Sequence, residues 1–246
     1  MKQLYVSVVA GALALGGIGI TIAVQSDVFA QPRRAGSAPV DGNDRLAVVE
    51  LFQSQGCSSC PPAAANINAL ASNPHVLALS YGVTYWDRLG WKDTFASPLF
   101  TSRQWEYARR KGRARVWTPQ VYVDGQGDVV GANRAQLDQL IARSSIKGPS
   151  VRIAGSKVQV GDGRAAKPAT VWMVRYDPRT VQVPIRAGEN GGRTLPHRNV
   201  VRELVKIGSW KGRAASFALP AGRESYRTAV LVQDGEGGAI IGAAKV

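Results

Sequence analysis

Cysteine is scarce in this 246-residue chain: there are two, both inside Gly56-Cys57-Ser58-Ser59-Cys60. That count excludes a scaffold held by several disulfides. The pair is also a poor staple, because closing so short a loop removes only about 2 kcal/mol of unfolded-state entropy, against about 4.7 for a hundred-residue loop. The spacing suits thiol–disulfide exchange better than stapling. Histidine is equally rare, with His75 and His197 alone, and neither stands at metal-ligand spacing from the cysteines. CxxC by itself cannot supply the four protein ligands of structural zinc, although two thiolates leave a copper(I) site open. Acidic residues are outnumbered, 17 against 31 Lys and Arg, for a formal charge of +14. The basic run Arg109, Arg110, Lys111, Arg113, Arg115 has no aromatic reader motif beside it, so nucleic acid is not an expected partner. A solvated helix face accounts for the run, and the excess charge suits weak attraction to an anionic envelope surface. Repeats and low-complexity tracts are absent, and Gly188-Glu189-Asn190-Gly191-Gly192-Arg193 lacks the GxxxxGK[ST] pattern of a phosphate loop and reads as a β turn.

The first thirty residues carry an address. After Lys2 the chain is apolar from Leu4 to Val24 and then meets the small-x-small signature Val28-Phe29-Ala30. This reads as a secretory signal peptide over 1–30, with an uncleaved anchor as the rival, since the stretch approaches the ~20 residues that span a bilayer. The expected location is periplasmic or secreted. Lys2 and Asp27 cancel, so cleavage leaves the charge unchanged. Residues 31–43, polar and rich in Pro, Gly and Ser, read as a linker.

Order is expected from Leu46. The apolar run Leu46 to Phe52, broken only by Glu50, has the composition of a strand buried on both faces. Cys57 to Ser72 is predicted to be a helix, with Ser58 and Ser59 able to cap it and Pro61 and Pro62 in its first turn. Val76 to Tyr81 supplies a second strand, parallel to the first across a βαβ unit. An aromatic loop, Tyr85 to Trp91, precedes a helix opened by Ser97-Pro98 and running toward Lys111. Strands at Gln120 to Val123 and Asp128 to Gly131 flank the Asp124-Gly125-Gln126-Gly127 turn, and a helix covers Arg134 to Ser144. From Pro149 the texture changes to short β-rich runs at 151–160, 169–176, 181–185, 228–233 and 239–243. The expected architecture is therefore α/β: a thioredoxin-like domain (βαβ-α-ββα) over 44–147 with an appended β-rich domain over 148–246.

Chemistry concentrates in few residues. A helix N-terminus stabilises a thiolate, which makes Cys57 the nucleophile and Cys60, one turn on, the resolving partner. Thr118-Pro119 stands just before a strand, where a cis bond facing the dithiol is expected and an ordinary trans proline is the alternative. Glu50 has two readings: a buried acid beneath the dithiol that relays protons, or a strand-rim carboxylate paired with an arginine. Trp86, Trp91 and Trp105 line a peptide groove or simply fill core.

The stretch Glu50 to Pro62, with Trp91 to Tyr107 and Thr118-Pro119-Gln120-Val121-Tyr122-Val123-Asp124-Gly125, closely resembles the secreted thioredoxin-like family called domain of unknown function 1223. Gly188 to Leu195 and His197 to Val201 are similar to its C-terminal part. The resemblance implies a thioredoxin-like fold, with Cys57 matching the attacking cysteine, Cys60 the resolving one and Pro119 the cis proline. Glu50 stands one residue further from Cys57 than thioredoxin's buried acid. Ser58-Ser59 matches neither the Gly-Pro of reductants nor the Pro-His of strong oxidants, so the direction of electron flow stays open. The expected activity is an exported thiol–disulfide oxidoreductase acting on protein thiols and disulfides with no cofactor. A non-catalytic binding or scaffold protein and a copper(I)-binding protein are the alternatives.

Overall fold

The computed structural model describes residues 46–144, 146–222 and 225–246; the expected signal peptide and linker lie outside them. Strand β1 (Ala47–Gln53) is buried along its whole length. It runs parallel to β2 (Val76–Gly82) on one side and antiparallel to β3 (Gln120–Val123) on the other. A central strand with both faces covered has to be apolar throughout, which explains the run that Glu50 alone interrupts.

Period-two alternation divides β1 between two cores. Val49 and Leu51 pack with Ala63, Ala64 and Ile67 of α1 (Pro61–Leu70) and with Leu137 of α3 (Arg134–Ala142). Val48 and Phe52 pack on the opposite face with Phe100 and Tyr107 of α2 (Pro98–Arg110). Ile67 and Leu51 are fully buried, each contributing about 1.5–3 kcal/mol of transfer free energy. Helix starts are set by local chemistry. Ser97 Oγ caps α2 by accepting from Leu99 N–H, and Asn133 Oδ1 caps α3 by accepting from Gln136 N–H.

Helix α1 begins at Pro61, four residues later than the sequence predicts, and Ser58 and Ser59 do not cap it. Continuing the helix back to Cys57 would need the N–H groups of residues 61 and 62, and both are proline. The first helical bond runs instead from Ala64 N–H to Cys60 O, at 3.0 Å, making Cys60 the N-cap. Residues 57–60 form a tight turn, with Cys60 N–H donating to Cys57 O.

The expected boundary near residue 148 does not divide the structure; the chain from Leu46 on is one compact unit. Strands β7 (Ala169–Asp177), β10 (Val200–Trp210), β12 (Arg227–Gln233) and β13 (Ile240–Lys245) extend the first sheet. The order is β13-β12-β7-β10-β2-β1-β3-β4, with β4 (Gly127–Val129) at the far edge. The junction is narrow. Val200 pairs with Ser80, and Asn199 locks it by accepting from Ser80 N–H at 3.0 Å and donating Nδ2 to Ala78 O at 2.8 Å. An open edge of β2 and an unpaired β10 would each leave backbone groups without partners, so joining satisfies both. β10 is not among the runs expected from the sequence, because bulges at Val201/Glu203 and Lys206/Gly208 scramble its alternation. The described residues also form two small sheets. One comprises β5 (Val151–Ala154), β6 (Lys157–Val160) and β11 (Ala215–Ala218); the other is the hairpin of β8 (Val181–Pro184) and β9 (Thr194–His197). The whole is mixed α/β with a mostly sheet core and few helices. Among the described residues no helix is long and apolar enough to cross a membrane.

Candidate functional site

Cys57 and Cys60 are joined as a disulfide in the turn between β1 and α1, with Cα atoms 5.4 Å apart. Both residues are buried, at 0% and 2% exposure, while Ser58 and Ser59 between them face solvent. Four segments converge on this turn.

The first is the loop before β3. Thr118 Oγ1 donates to Cys57 Sγ at 3.3 Å and in turn accepts from Trp86 Nε1 at 2.7 Å. The Thr118–Pro119 bond is cis. Ser59 Oγ lies 3.3 Å from Cys57 Sγ and 3.5 Å from Thr118 O. The second is the aromatic loop after β2. Asp93 is buried, and its carboxylate accepts from Gln55 N–H and Phe95 N–H, each at 2.7 Å. Burial pushes its carboxyl up to about 6, against those two stabilising bonds. Trp91 Nε1 donates to Gln55 Oε1 at 2.9 Å.

The third is the tip of the β8–β9 hairpin, the segment that reads in sequence as a plain turn. Glu189 accepts from Ser58 N–H and Oγ, and buried Asn190 donates Nδ2 to Gln55 O and Cys57 O at 2.9 and 2.8 Å. Cys57 O is one of the carbonyls that Pro61 and Pro62 leave without a helical donor, and Asn190 supplies one. Gly188 adopts φ 75°, and its Cα side faces Trp91 and Gly56 closely. The fourth is β9 itself, which brings His197 against Gln53, with Nδ1 3.2 Å from Gln53 Nε2. Burial, then the charge of Arg202, push His197 down to about 4.

Glu50 does not belong to this constellation. It is buried as one reading expects and paired with an arginine as the other expects, but on the face of β1 opposite α1. Its carboxylate accepts from Arg103 Nε at 2.8 Å and Arg103 Nη2 at 3.2 Å, and from the Tyr107 hydroxyl. The one-residue offset from Cys57 is the reason, since a shift of one along a strand turns the side chain to the other face. Trp86 and Trp91 reach the site, whereas Trp105, half-buried on α2, makes none of its hydrogen bonds. The basic run is partly spent on local pairs, Arg113 with Asp128 at 2.6 Å and Arg109 with Glu236 at 3.1 Å.

A family model described as "Protein of unknown function (DUF1223)" matches residues 48–233. The chain belongs to the DUF1223 family. A crystal structure of a protein from Agrobacterium tumefaciens is 33% identical, with a TM-score of 0.67 over 81% of this chain and 93% of the other. HBP35 of Porphyromonas gingivalis shares the fold at 12% identity and a TM-score of 0.51, over 82% of this chain and 75% of that one. No curated protein sequence matches the chain. The DUF1223 span takes in every segment that meets the dithiol, from β1 to β9. Sequence reasoning about this DUF1223 chain reached the cysteines, Thr118 and Pro119, and missed Asp93, Glu189, Asn190 and His197 as site residues. The signal available was the polar, glycine-flanked Glu189-Asn190 pair between apolar strands, but nothing in the chain's local pattern says where that turn lands.

Proposed function

We propose that this DUF1223 protein is an exported thiol–disulfide oxidoreductase built on a thioredoxin-like fold, with Cys57 as nucleophile and Cys60 as resolving cysteine. In the reductive direction Cys57 thiolate attacks a substrate disulfide and releases one substrate thiolate. Cys60 thiolate then attacks Cys57 Sγ in the mixed disulfide, which releases the second substrate thiol and closes the Cys57–Cys60 bond, passing two electrons to the substrate. The observation that carries this reading is the hydrogen bond from Thr118 Oγ1 to Cys57 Sγ. It brings the residue before Pro119 against the reactive sulfur, where a donor stabilises developing thiolate charge. Protein thiols and disulfides of the periplasm or exterior are the partners this chemistry takes, and the first thirty residues supply the export route.

One observation favours a second reading, a binding or scaffold protein with a static disulfide: both cysteines are buried, and the 188–190 turn is bonded to Ser58 and Cys57 O between and beside them. A glutathione redox titration of the mature protein, with free thiols trapped and weighed by mass spectrometry and Cys60→Ser as control, separates the two. A reversible two-electron transition within the biological range supports exchange, and its potential states the direction. A disulfide that stays closed throughout the series overturns exchange and leaves the static reading. Thr118→Val should slow exchange while Thr118→Ser preserves it.

A further inference from the structure

Between α1 and β9 lies a cavity of about 40 Å³ lined by Cys60 and His197 together with Gln53, Ser54, Ala64 and Leu195. It has room for a water molecule. His197 is 2% exposed, and its Nε2 has no hydrogen-bond partner among the described residues. Gln53 Nε2 faces His197 Nδ1 and also donates to Ser80 Oγ at 2.6 Å. An amide nitrogen only donates, so Nδ1 accepts and the neutral ring carries its proton on Nε2. The ring is held edge-on to Phe95, with centroids 5.4 Å apart. A buried N–H without a partner is a rarity that calls for a function, and here it borders the same cavity as a reactive sulfur.

We propose that His197 Nε2–H is the hydrogen-bond donor to Cys60 Sγ, directly or through one water in this cavity, and stabilises the thiolate that Cys60 becomes whenever the disulfide opens. The proposal rests on the exchange reading above and names a residue for it. When an incoming thiolate attacks Cys57 Sγ, the Cys57–Cys60 bond breaks and its electron pair passes to Cys60 Sγ. His197 lends a hydrogen bond and keeps its proton, so nothing else need be supplied. A buried thiolate without such a donor is strongly disfavoured. Glu50, on the other face of β1, is bonded to Arg103 and Tyr107. The charged groups nearby are Asp93, whose carboxylate accepts from Gln55 N–H and Phe95 N–H, Arg202, stacked over Phe95 at 4.2 Å and acting on His197, and Glu189, bonded to the CxxC turn at Ser58. The cavity's other lining residues are uncharged.

The test compares His197→Phe, which keeps the ring packing and removes the donor, with His197→Gln, which keeps an N–H. In a Cys57→Ser background the Cys60 thiol pKa, followed by pH-dependent alkylation, should rise by about one unit or more in the Phe variant and by much less in the Gln variant. In the two-cysteine protein, reduction by dithiothreitol should slow about tenfold with Phe, because a leaving thiol of higher pKa leaves more slowly, and recover with Gln. A natively folded Phe variant with unchanged thiol pKa and rate overturns the proposal. So does a wild-type His197 Nε2–H resonance that stays in place when the protein is reduced above the Cys60 pKa, a measurement that needs no variant to fold. If the thiol pKa moves but the wild-type disulfide never exchanges with thiols, the donor stands and the oxidoreductase reading falls.

Discussion

The carboxylate of Glu189 accepts two hydrogen bonds from Ser58, from the backbone N–H at 3.0 Å and from Oγ at 2.7 Å, across 131 residues of sequence. This clasp ties the tip of the β8–β9 hairpin to the CxxC turn, and the proposed exchange should run faster once it is open. Glu189→Ala should speed reduction of the disulfide by a phosphine several-fold at neutral pH. The bonds from Ser58 Oγ and then N–H hold the Glu189 carboxyl below its ordinary 4.5. A carboxyl with a depressed folded value keeps its contact above the ordinary value and loses it as pH falls through the lower one. Wild-type and variant rates should therefore converge in acid. Rates that already coincide at neutral pH would show that the clasp does not gate the sulfurs.

Asn190 anchors the same turn from inside; its loss takes the side-chain donor from Gln55 O and leaves Cys57 O with the Cys60 N–H alone. Asn190→Ala should lower the stability of the oxidised protein by roughly 2–4 kcal/mol. Asn190→Asp, although nearly isosteric, should do at least as badly, because it offers acceptors where donors are needed. Chemical denaturation of the three proteins checks the order.

The Glu50–Arg103 pair is buried on both sides, at 0% and 1% exposure. Glu50→Gln leaves the guanidinium in the core without its counter-charge, a loss of about 3–5 kcal/mol. The Cys57 and Cys60 thiol pKa values should nevertheless stay where they are, since the pair works on the α2 face of β1. A shift in either thiol on Glu50→Gln would restore Glu50 as a proton relay.

Asp93 and His197 pull stability in opposite directions over one pH window. Asp93, ordinarily 3.8 and raised to about 6 by burial, contributes stability present below its ordinary value and lost as pH rises through about 6. His197, ordinarily 6.5 and pushed to about 4 by burial, contributes stability present above 6.5 and lost as pH falls through about 4. Each contribution is on the order of 2–3 kcal/mol. Wild-type stability should thus be nearly flat between pH 4 and 6, while Asp93→Asn should expose a steep loss toward acid and His197→Phe the opposite slope. Urea melts across that range read it directly.

Much of the first half of the chain is legible from near neighbours. β1, β2, the Ser97 cap of α2 and the Asp124–Gly127 turn follow from apolar runs, caps and turn residues. The start of α1 is also written in Pro61 and Pro62, whose missing N–H groups weigh against a helix reaching back to Cys57 as well as favouring its first turn. β10 is obscured by its two bulges, which break the period on which strand reading depends.

By itself the sequence determined that one closely spaced dithiol follows a buried strand and precedes a helix, because prolines, apolar runs and two lone cysteines act over a few residues. Only the tertiary structure decided that Glu50 faces α2, that β7, β10, β12 and β13 continue the first sheet, and that Glu189, Asn190 and His197 gather around the CxxC turn. Those outcomes depend on strand parity and on pairings between segments far apart in the chain. There the gain comes from satisfying buried donors and acceptors, Cys57 O by Asn190 and Ser80 N–H by Asn199 among them, and no local pattern states which distant group will do so.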